Sequence, residues 1–410
     1  MARPPHLALV GIAILCALPS TGSAVHPEPP LWPAEIDTLH VTADRPSPEE
    51  RLRQRTGFST LVPLGADAPA DRDLGDLLDR TAGIHVHRYG GSGSFSLASV
   101  RGSTPGQVKV AIDGVPIAAA ADGSVNLSNL PLASFQHVEI YRGAQTESFG
   151  GPPAAGVINL VTDADVALRD RVSIGVGSYG ARNAAAHWSR AIRPIRALVS
   201  GEYRTADGDF PFHSNNGTPF NPDDDHEAKR RNNDVEALHL LWKTSIGDRD
   251  RAWADYTGIY SNAENGVPGQ KNLQADAVRY RSRRHRHQIS ARWRPSDSVP
   301  VRLKGTAHLL RVRDRFENPE AEVGLSRAKT DDRTREEGAR FSAAAPVPSL
   351  RQRPRVMVET RRERFTPRNE LKNETGDTRN RRQRTIAIED QLTLGHVRLE
   401  AAYRWVRSTY

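Results

Sequence analysis

The sequence predicts an all-β transmembrane antiparallel barrel, incomplete at about 11 strands, behind a small N-terminal α/β domain. Three observations carry this. From Arg171 onward the chain runs in long alternating segments with no helical period. The links between those segments are alternately tight and long. Upstream, residues 57–163 form a unit rich in glycine and small residues, in which one short helical pattern is mixed with strand-like runs.

Along the chain, residues 1–24 come first. Arg3, an apolar run from Leu7 to Leu18 and a small-residue exit at Gly22-Ser23-Ala24 have the build of a secretory signal peptide, with cleavage expected after Ala24. Cys16, the only cysteine, lies within that run, and Leu15 before it is too large for a lipoprotein cleavage site. The mature chain would then hold no thiol, so a disulfide framework and a Cys-ligated metal are both excluded. No later stretch reaches the ~18 continuous apolar residues of a membrane helix, which leaves strands as the only route across a bilayer.

Residues 25–56 read as a linker. A Pro-rich stretch, Val25 to Pro33, precedes the β-prone run Glu35 to Ala43, and Arg45-Pro46-Ser47-Pro48 follows. A short strand flanked by prolines has no core of its own, and suits pairing with a partner's sheet edge.

Residues 57–165 form the small domain. Leu74, Leu77 and Leu78 predict a short amphipathic helix with Gly83 as its stop. Val108, Val110 and Ile112 alternate before the Asp113-Gly114 turn. Val138, Ile140 and Tyr141 make a second strand, and Gly156 to Thr162 a third.

Residues 166–410 form the barrel segment. Val301, Leu303, Gly305, Ala307 and Leu309 alternate with Arg302, Lys304, Thr306 and His308. Val397, Leu399, Ala401, Tyr403 and Trp405 alternate with Arg398, Glu400, Ala402 and Arg404. A soluble sandwich and an outer-membrane barrel both produce this pattern, and connection lengths separate them. The links at 193–195, 247–249, 295–298 and 395–396 are tight, whereas 206–234, 262–277 and 318–329 are long. That asymmetry belongs to bacterial barrels. Asp390 falls on the apolar parity between Ile388 and Leu392, which implies a bulge or a register error.

Several motifs now resemble a known family. Asp37-Thr38-Leu39-His40-Val41-Thr42-Ala43 looks like the TonB box of the TonB-dependent outer-membrane receptors, with His40 where an apolar residue is common. Leu77-Leu78 through Thr81-Ala82-Gly83-Ile84-His85-Val86 resembles the family's helix and Pro-Gly-Val, with Ala82 in place of the proline. Val100-Arg101-Gly102, Ile112 to Pro116, Val138 to Gly143 and Gly156 to Thr162 follow in the family's order. Within the family, Gly90 to Ser94 leading into Val100 to Ser103, and Leu127 to Pro131 leading into Val138-Glu139, are most similar to the cobalamin receptors.

The resemblance implies a plug domain inside a 22-stranded barrel and energy-coupled uptake of a scarce nutrient across the outer membrane of a Gram-negative bacterium. Cobalamin is the first expectation for cargo, and a ferric siderophore or other metal chelate the alternative. It implies TonB as partner, contacting Asp37, Thr38, Leu39, His40, Val41, Thr42 and Ala43, with outer-membrane lipid around the wall and no cofactor. Arg101 and Arg142 resemble plug arginines that face wall carboxylates. The ligand-facing candidates in the plug's apical loops are Tyr89, Ser92, Ser94, Phe95, Ala119 and Asp122. The box begins 13 residues after the expected cleavage site, too close for an N-terminal signalling domain.

Other readings are weaker. A net charge of +8 would suit nucleic acid, but the arginines interleave with apolar residues at period two and form no dedicated patch. No metal site is expected; His85 and His87 read as a strand-face pair, and Asp223, Asp224 and Asp225 as a solvated acidic loop before a cation site. No catalytic motif is present, so an enzyme is not expected. A passive pore has no use for a coupling box. A non-transporting fragment is the third possibility, since ~11 strands do not close a 22-stranded wall. Tyr403 and Trp405 lie on the parity opposite to Tyr410, unlike a barrel's closing strand, so about 11 further strands are expected downstream.

Overall fold

The structure, a computed structural model, describes residues 58–64, 73–89, 94–117, 124–130, 132–142, 149, 155–162, 170–218, 220–270, 272–296, 300–394 and 397–410. The signal segment and the Asp37 to Ala43 run lie outside them.

In the small domain, local chemistry sets the one helix. α1 (Leu74–Asp79) begins at Asp73, whose carboxylate accepts from Asp76 N at 2.8 Å while Asp76 accepts from Asp73 N at 3.1 Å. This reciprocal cap satisfies two amides that a helix start otherwise leaves open. The helix ends at Arg80, and Gly83, with φ +75°, turns the chain into β2 (Ile84–Arg88). Arg88 then returns to the cap, reaching Asp73 at 3.1 Å and Asp76 at 2.7 Å.

The domain's sheet has the order β1 (Phe58–Pro63), β6 (His137–Arg142), β7 (Gly156–Val161), β4 (Val108–Ile112) and β5 (Val115–Pro116). β4 and β7 are parallel, and the other neighbours antiparallel. β2 pairs separately with β3 (Ser96–Val100). Val110, Ile112, Val138, Ile140, Ile158 and Leu160 are buried on one face, joined by Leu74 and Leu78 of the helix. Gly156 is required where it stands, because a Cβ there would meet Tyr141 O at 2.7 Å.

The large sheet follows. Its path in chain order is β8 (Arg171–Val176), β9 (Arg182–Ile192), β10 (Ile195–Ala206), β13 (Val235–Asp248), β14 (Ala252–Gly266), β17 (Arg279–Trp293), β18 (Arg302–Asn318), β19 (Ala328–Ala344), β20 (Arg355–Thr366), β23 (Arg379–Leu394) and β24 (Val397–Thr409). All neighbours are antiparallel, and among the described residues the path has 11 strands, with β8 and β24 at its edges. Short paired strands lie in the long connections: β11 (Pro211–Ser214) with β12 (His226–Lys229), β15 (Gly269–Gln270) with β16 (Leu273–Gln274), and β21 (Arg368–Asn369) with β22 (Glu374–Thr375). No described helix is long and apolar enough to cross a membrane.

The two faces of the sheet have opposite surroundings. Leu198, Leu241, Ile259, Leu310 and Val312 turn inward and share one core with the small domain. The apolar alternates turn outward, where Ile289 is 57% exposed, Ile388 51% and Tyr403 68%. Such an inverted surface is stable only against an apolar solvent.

Two expectations need correction. Asp390 keeps the outward parity with no bulge and no slip, since Glu389↔Ala402, Asp390↔Ala401 and Gln391↔Glu400 form an unbroken ladder. It sits opposite Ala401, midway along the outward apolar run of β24, and its Oδ1 is enclosed without a hydrogen-bond partner among the described residues. The second concerns the loop read as 262–277: β14 runs on to Gly266, because Asn262 to Gly266 continue to pair with β17.

Candidate functional site

The contacts between the small domain and the wall converge on the hairpin at Asp113 to Pro116. Asp113 (φ +50°) and Gly114 (φ +83°) are both left-handed, the conformation that a two-residue hairpin turn needs. Asp113 also caps the end of β7, accepting from Thr162 N at 2.8 Å and from the Thr162 hydroxyl. Asn159 Oδ1 accepts from Gly114 N at 2.9 Å. The hairpin is thus rigid before the wall touches it.

Three wall cations meet it. Lys243 of β13 places Nζ 3.0 Å from Asp113 Oδ2 and donates to Thr162 O at 2.6 Å. Arg286 of β17, fully enclosed, donates to Pro116 O at 3.2 Å and Val115 O at 3.1 Å. Arg340 of β19 donates to Gly114 O at 3.1 Å and to Glu359 at 2.9 Å. Behind them Glu336, also enclosed, accepts from His308 at 3.0 Å and from Arg361 Nε at 2.6 Å. Burying so many charges is costly unless each has a partner, and this network supplies them.

Charges inside the small domain are also tuned. Burial, and next the charge of Arg361, push the Lys109 ammonium of β4 down to about 7. Burial alone would raise the Asp73 carboxyl; the hydrogen bond and charge of Arg88 hold it below its ordinary value.

At the end of the wall with the long connections, Tyr89, Phe95 and Tyr280 form an aromatic chain with ring centroids 5.7 and 6.3 Å apart. Ser94 is buried beside it. Four residues along the same inward face from Tyr280, Arg284 is 9% exposed, with Nε and Nη1 lacking a hydrogen-bond partner. Two further contacts are neutral: Ser261, opposite Arg284, donates to Asn129 O at 3.2 Å, and Ser134 to Ser200 at 3.1 Å.

The structure therefore brings together Tyr89, Ser94 and Phe95, whereas Ser92, Ala119 and Asp122 lie outside the described residues, as do Asp37 to Ala43. Arg142 donates to Thr60 at 2.6 Å within the small domain, and burial and then the neighbouring charge of Arg101 lower its pKa. Arg101 is exposed, with φ +52°. The wall contacts at the hairpin run the other way, from wall cation to domain oxygen. Asp224 turns to Thr218 at 2.6 Å and Asp225 to His213 at 3.1 Å. No three acidic, histidine or cysteine side chains among the described residues converge as a metal site. His85 pairs with Asp79 at 3.3 Å.

Sequence reasoning read Asp113-Gly114 as a turn and missed the cations that seize it. Lys243 was legible only as one charged alternate among many.

Residues 66–157 match the family model described as the TonB-dependent receptor plug domain. Among solved structures, the fold is similar to the copper transporter OprC (TM-score 0.68, 13% identity, 86% of this chain and 56% of that one). It is similar to the siderophore receptor PirA from Acinetobacter baumannii (0.68, 16%, 88% and 58%). It is also similar to the unliganded ferric citrate transporter FecA (0.65, 12%, 88% and 58%). The chain spans less than two thirds of the length of these structures. Residues 66–157 thus carry a TonB-dependent receptor plug domain, seated against an antiparallel sheet with the fold of these receptors and transporters.

Proposed function

We propose that the chain supplies the plug and about half of the wall of an outer-membrane receptor for TonB-coupled uptake of a metal chelate. The observation that carries this reading is the hairpin clamp. Lys243, Arg286 and Arg340 hold the plug through one ion pair and four carbonyl contacts. Such contacts fix one orientation, yet each can be exchanged for water when the plug is pulled.

The pull is assigned to residues 37–43, which pair main chain to main chain with TonB. Arg101 and Arg142 are retained as plug arginines for wall carboxylates. In the metal-chelate reading, Tyr89, Phe95 and Tyr280 line the cargo's approach, and Arg284 offers unpaired N–H groups to anionic oxygens. The names of the similar structures, for copper, a siderophore and ferric citrate, support this cargo class. Cobalamin is the second reading, favoured by the wording of residues 90–103 and 127–139.

Whole cells expressing the receptor test both levels. Binding of ferric chelates without cobalamin is expected, with uptake lost on deletion of residues 37–43. Cobalamin binding alone would overturn the cargo, and uptake that survives the deletion would overturn the coupling.

A further inference from the structure

On the outward face of β17 to β24, arginines stand in rows. Arg311, Arg335 and Arg364 lie directly opposite one another across β18, β19 and β20. Arg362 faces Arg382, and Arg384 faces Arg407. Like charges directly opposite on adjacent antiparallel strands repel, so these rows require anions between them. One neighbouring group supplies its own: Arg313, Arg315 and Arg333 share Asp331 at 2.6, 3.6 and 3.3 Å. Arg311, Arg362, Arg382, Arg384 and Arg407 have no acidic partner among the described residues.

The rows begin above an apolar stretch, and on β23 and β24 the two borders lie side by side. The outward face changes from apolar to basic between Leu309 and Arg311 on β18, Ile386 and Arg384 on β23, and Trp405 and Arg407 on β24. From Val397 to Trp405, at ~3.3 Å per residue and ~40° tilt, the apolar stretch is roughly 20 Å tall. That approaches the ~25 Å apolar band of an outer-membrane barrel, so the arginines fall at its upper border, beside the long connections. The belt is also one-sided. At the matching end of β10 and β13 the outward face carries Tyr203, Leu238 and Glu236.

We propose that this outward face of β18 to β24 is a binding site for phosphorylated lipid headgroups of the outer leaflet, a reading that rests on the outward parity facing lipid. One cleft is lined by Arg382, Arg384, Arg407 and Thr409, and another by Arg335, Glu337, Arg362 and Arg364. The first presents three guanidinium forks, which match phosphate oxygens two at a time; in the second Arg335 already pairs with Glu337 at 3.2 Å, which leaves Arg362 and Arg364 to face an anion. A lipid satisfies the whole surface, with its phosphate on the arginines and its acyl chains on Ile386, Ile388 and Trp405 below. A soluble anion would satisfy only the upper part.

The test folds the full chain in detergent micelles and titrates it with dioleoyl phosphatidic acid, dioleoyl phosphatidylcholine and inorganic phosphate, counting bound lipid by native mass spectrometry. Phosphatidic acid is expected to bind roughly tenfold more tightly than phosphatidylcholine. The triple variant Arg382→Gln, Arg384→Gln, Arg407→Gln should lose that preference, and Arg182→Gln should keep it. Should the triple variant fail to fold, Arg335→Gln with Arg362→Gln tests the other cleft. Equal retention of both lipids, or an unchanged preference in the variants, overturns the proposal. Displacement by inorganic phosphate also overturns it, in favour of a free-anion site. Quenching of Trp293 and Trp405 by brominated acyl chains separates the two levels. Quenching without headgroup preference sinks this proposal alone, whereas no quenching removes the lipid-facing reading beneath it.

Discussion

The plug and the wall use the same alternating pattern and send its apolar residues in opposite directions. In the plug, Ile140, Ile158 and Leu160 are wholly enclosed, and the sheet obeys the rule of a soluble protein. In the wall, Ile289, Ile388 and Tyr403 face outward, and the inward alternates mix Lys243, Arg286, Glu336 and Arg340 with the apolar Leu198, Leu241, Ile259, Leu310 and Val312. Period two therefore reports a strand with two unlike faces and says nothing of which face is dry.

The sharpest way to break this contrast is to place a charge in each apolar face. Ile158→Asp is expected to cost the plug about 4 kcal/mol or more, because a buried carboxyl there has no partner. Limited proteolysis should then digest residues 66–157 while the wall persists; a protease-resistant plug would contradict the enclosed position of Ile158.

A smaller effect follows from cutting the clamp. Lys243→Met leaves Asp113 half enclosed without its cation, at a cost of roughly 3 kcal/mol. Hydrogen exchange at residues 113–116 should accelerate, and adding Asp113→Asn should recover part of the loss. Unchanged exchange would show that the hairpin is held by shape alone.

Proton linkage gives a weaker lever, confined to the plug. Lys109 is pushed down to about 7 when folded, so between pH 7 and its ordinary value near 10.5 the unfolded chain binds more protons. Stability must rise with pH across that window. Plug protection should increase from pH 7 to pH 10, and Lys109→Met should remove this increase; a slope that survives the substitution would point to another group. For Asp73, whose folded value is also lowered, the sign is the same in an acid window: its contribution is present above the ordinary value of 3.8 and is lost as pH falls below it. Protection of the Asp76 amide should therefore persist at pH 5 and fade in stronger acid.

The smallest expected change is on the outward face. Ile289→Ala should leave plug protection within about 0.5 kcal/mol, since that side chain touches neither core. A larger loss would mean that the outward parity is not a separate surface.

Much of this was legible in the chain. Leu74, Leu77 and Leu78 mark α1, Asp113-Gly114 turns on itself, and the alternation of Val397 to Trp405 marks a strand with two unlike faces. These are short-range facts of backbone geometry and side-chain length. The clamp was not legible, because Lys243, Arg286 and Arg340 stand 130, 170 and 226 residues from the groups they grip. Each is one of many charged alternates, and only the stagger of neighbouring strands selects which of them reaches the hairpin. Asp390 shows the same limit in reverse: its parity was readable, but its place opposite Ala401 depends on strand register.

Sequence alone determined the period of each strand, the short helix and its stop, the hairpin turn and the asymmetry of the connections, because these depend on interactions a few residues long. Tertiary structure decided which wall cations meet the plug, and that the arginines of β18, β19, β20, β23 and β24 stand opposite one another. Both follow from strand register, where a slip of two residues preserves every face and changes every neighbour.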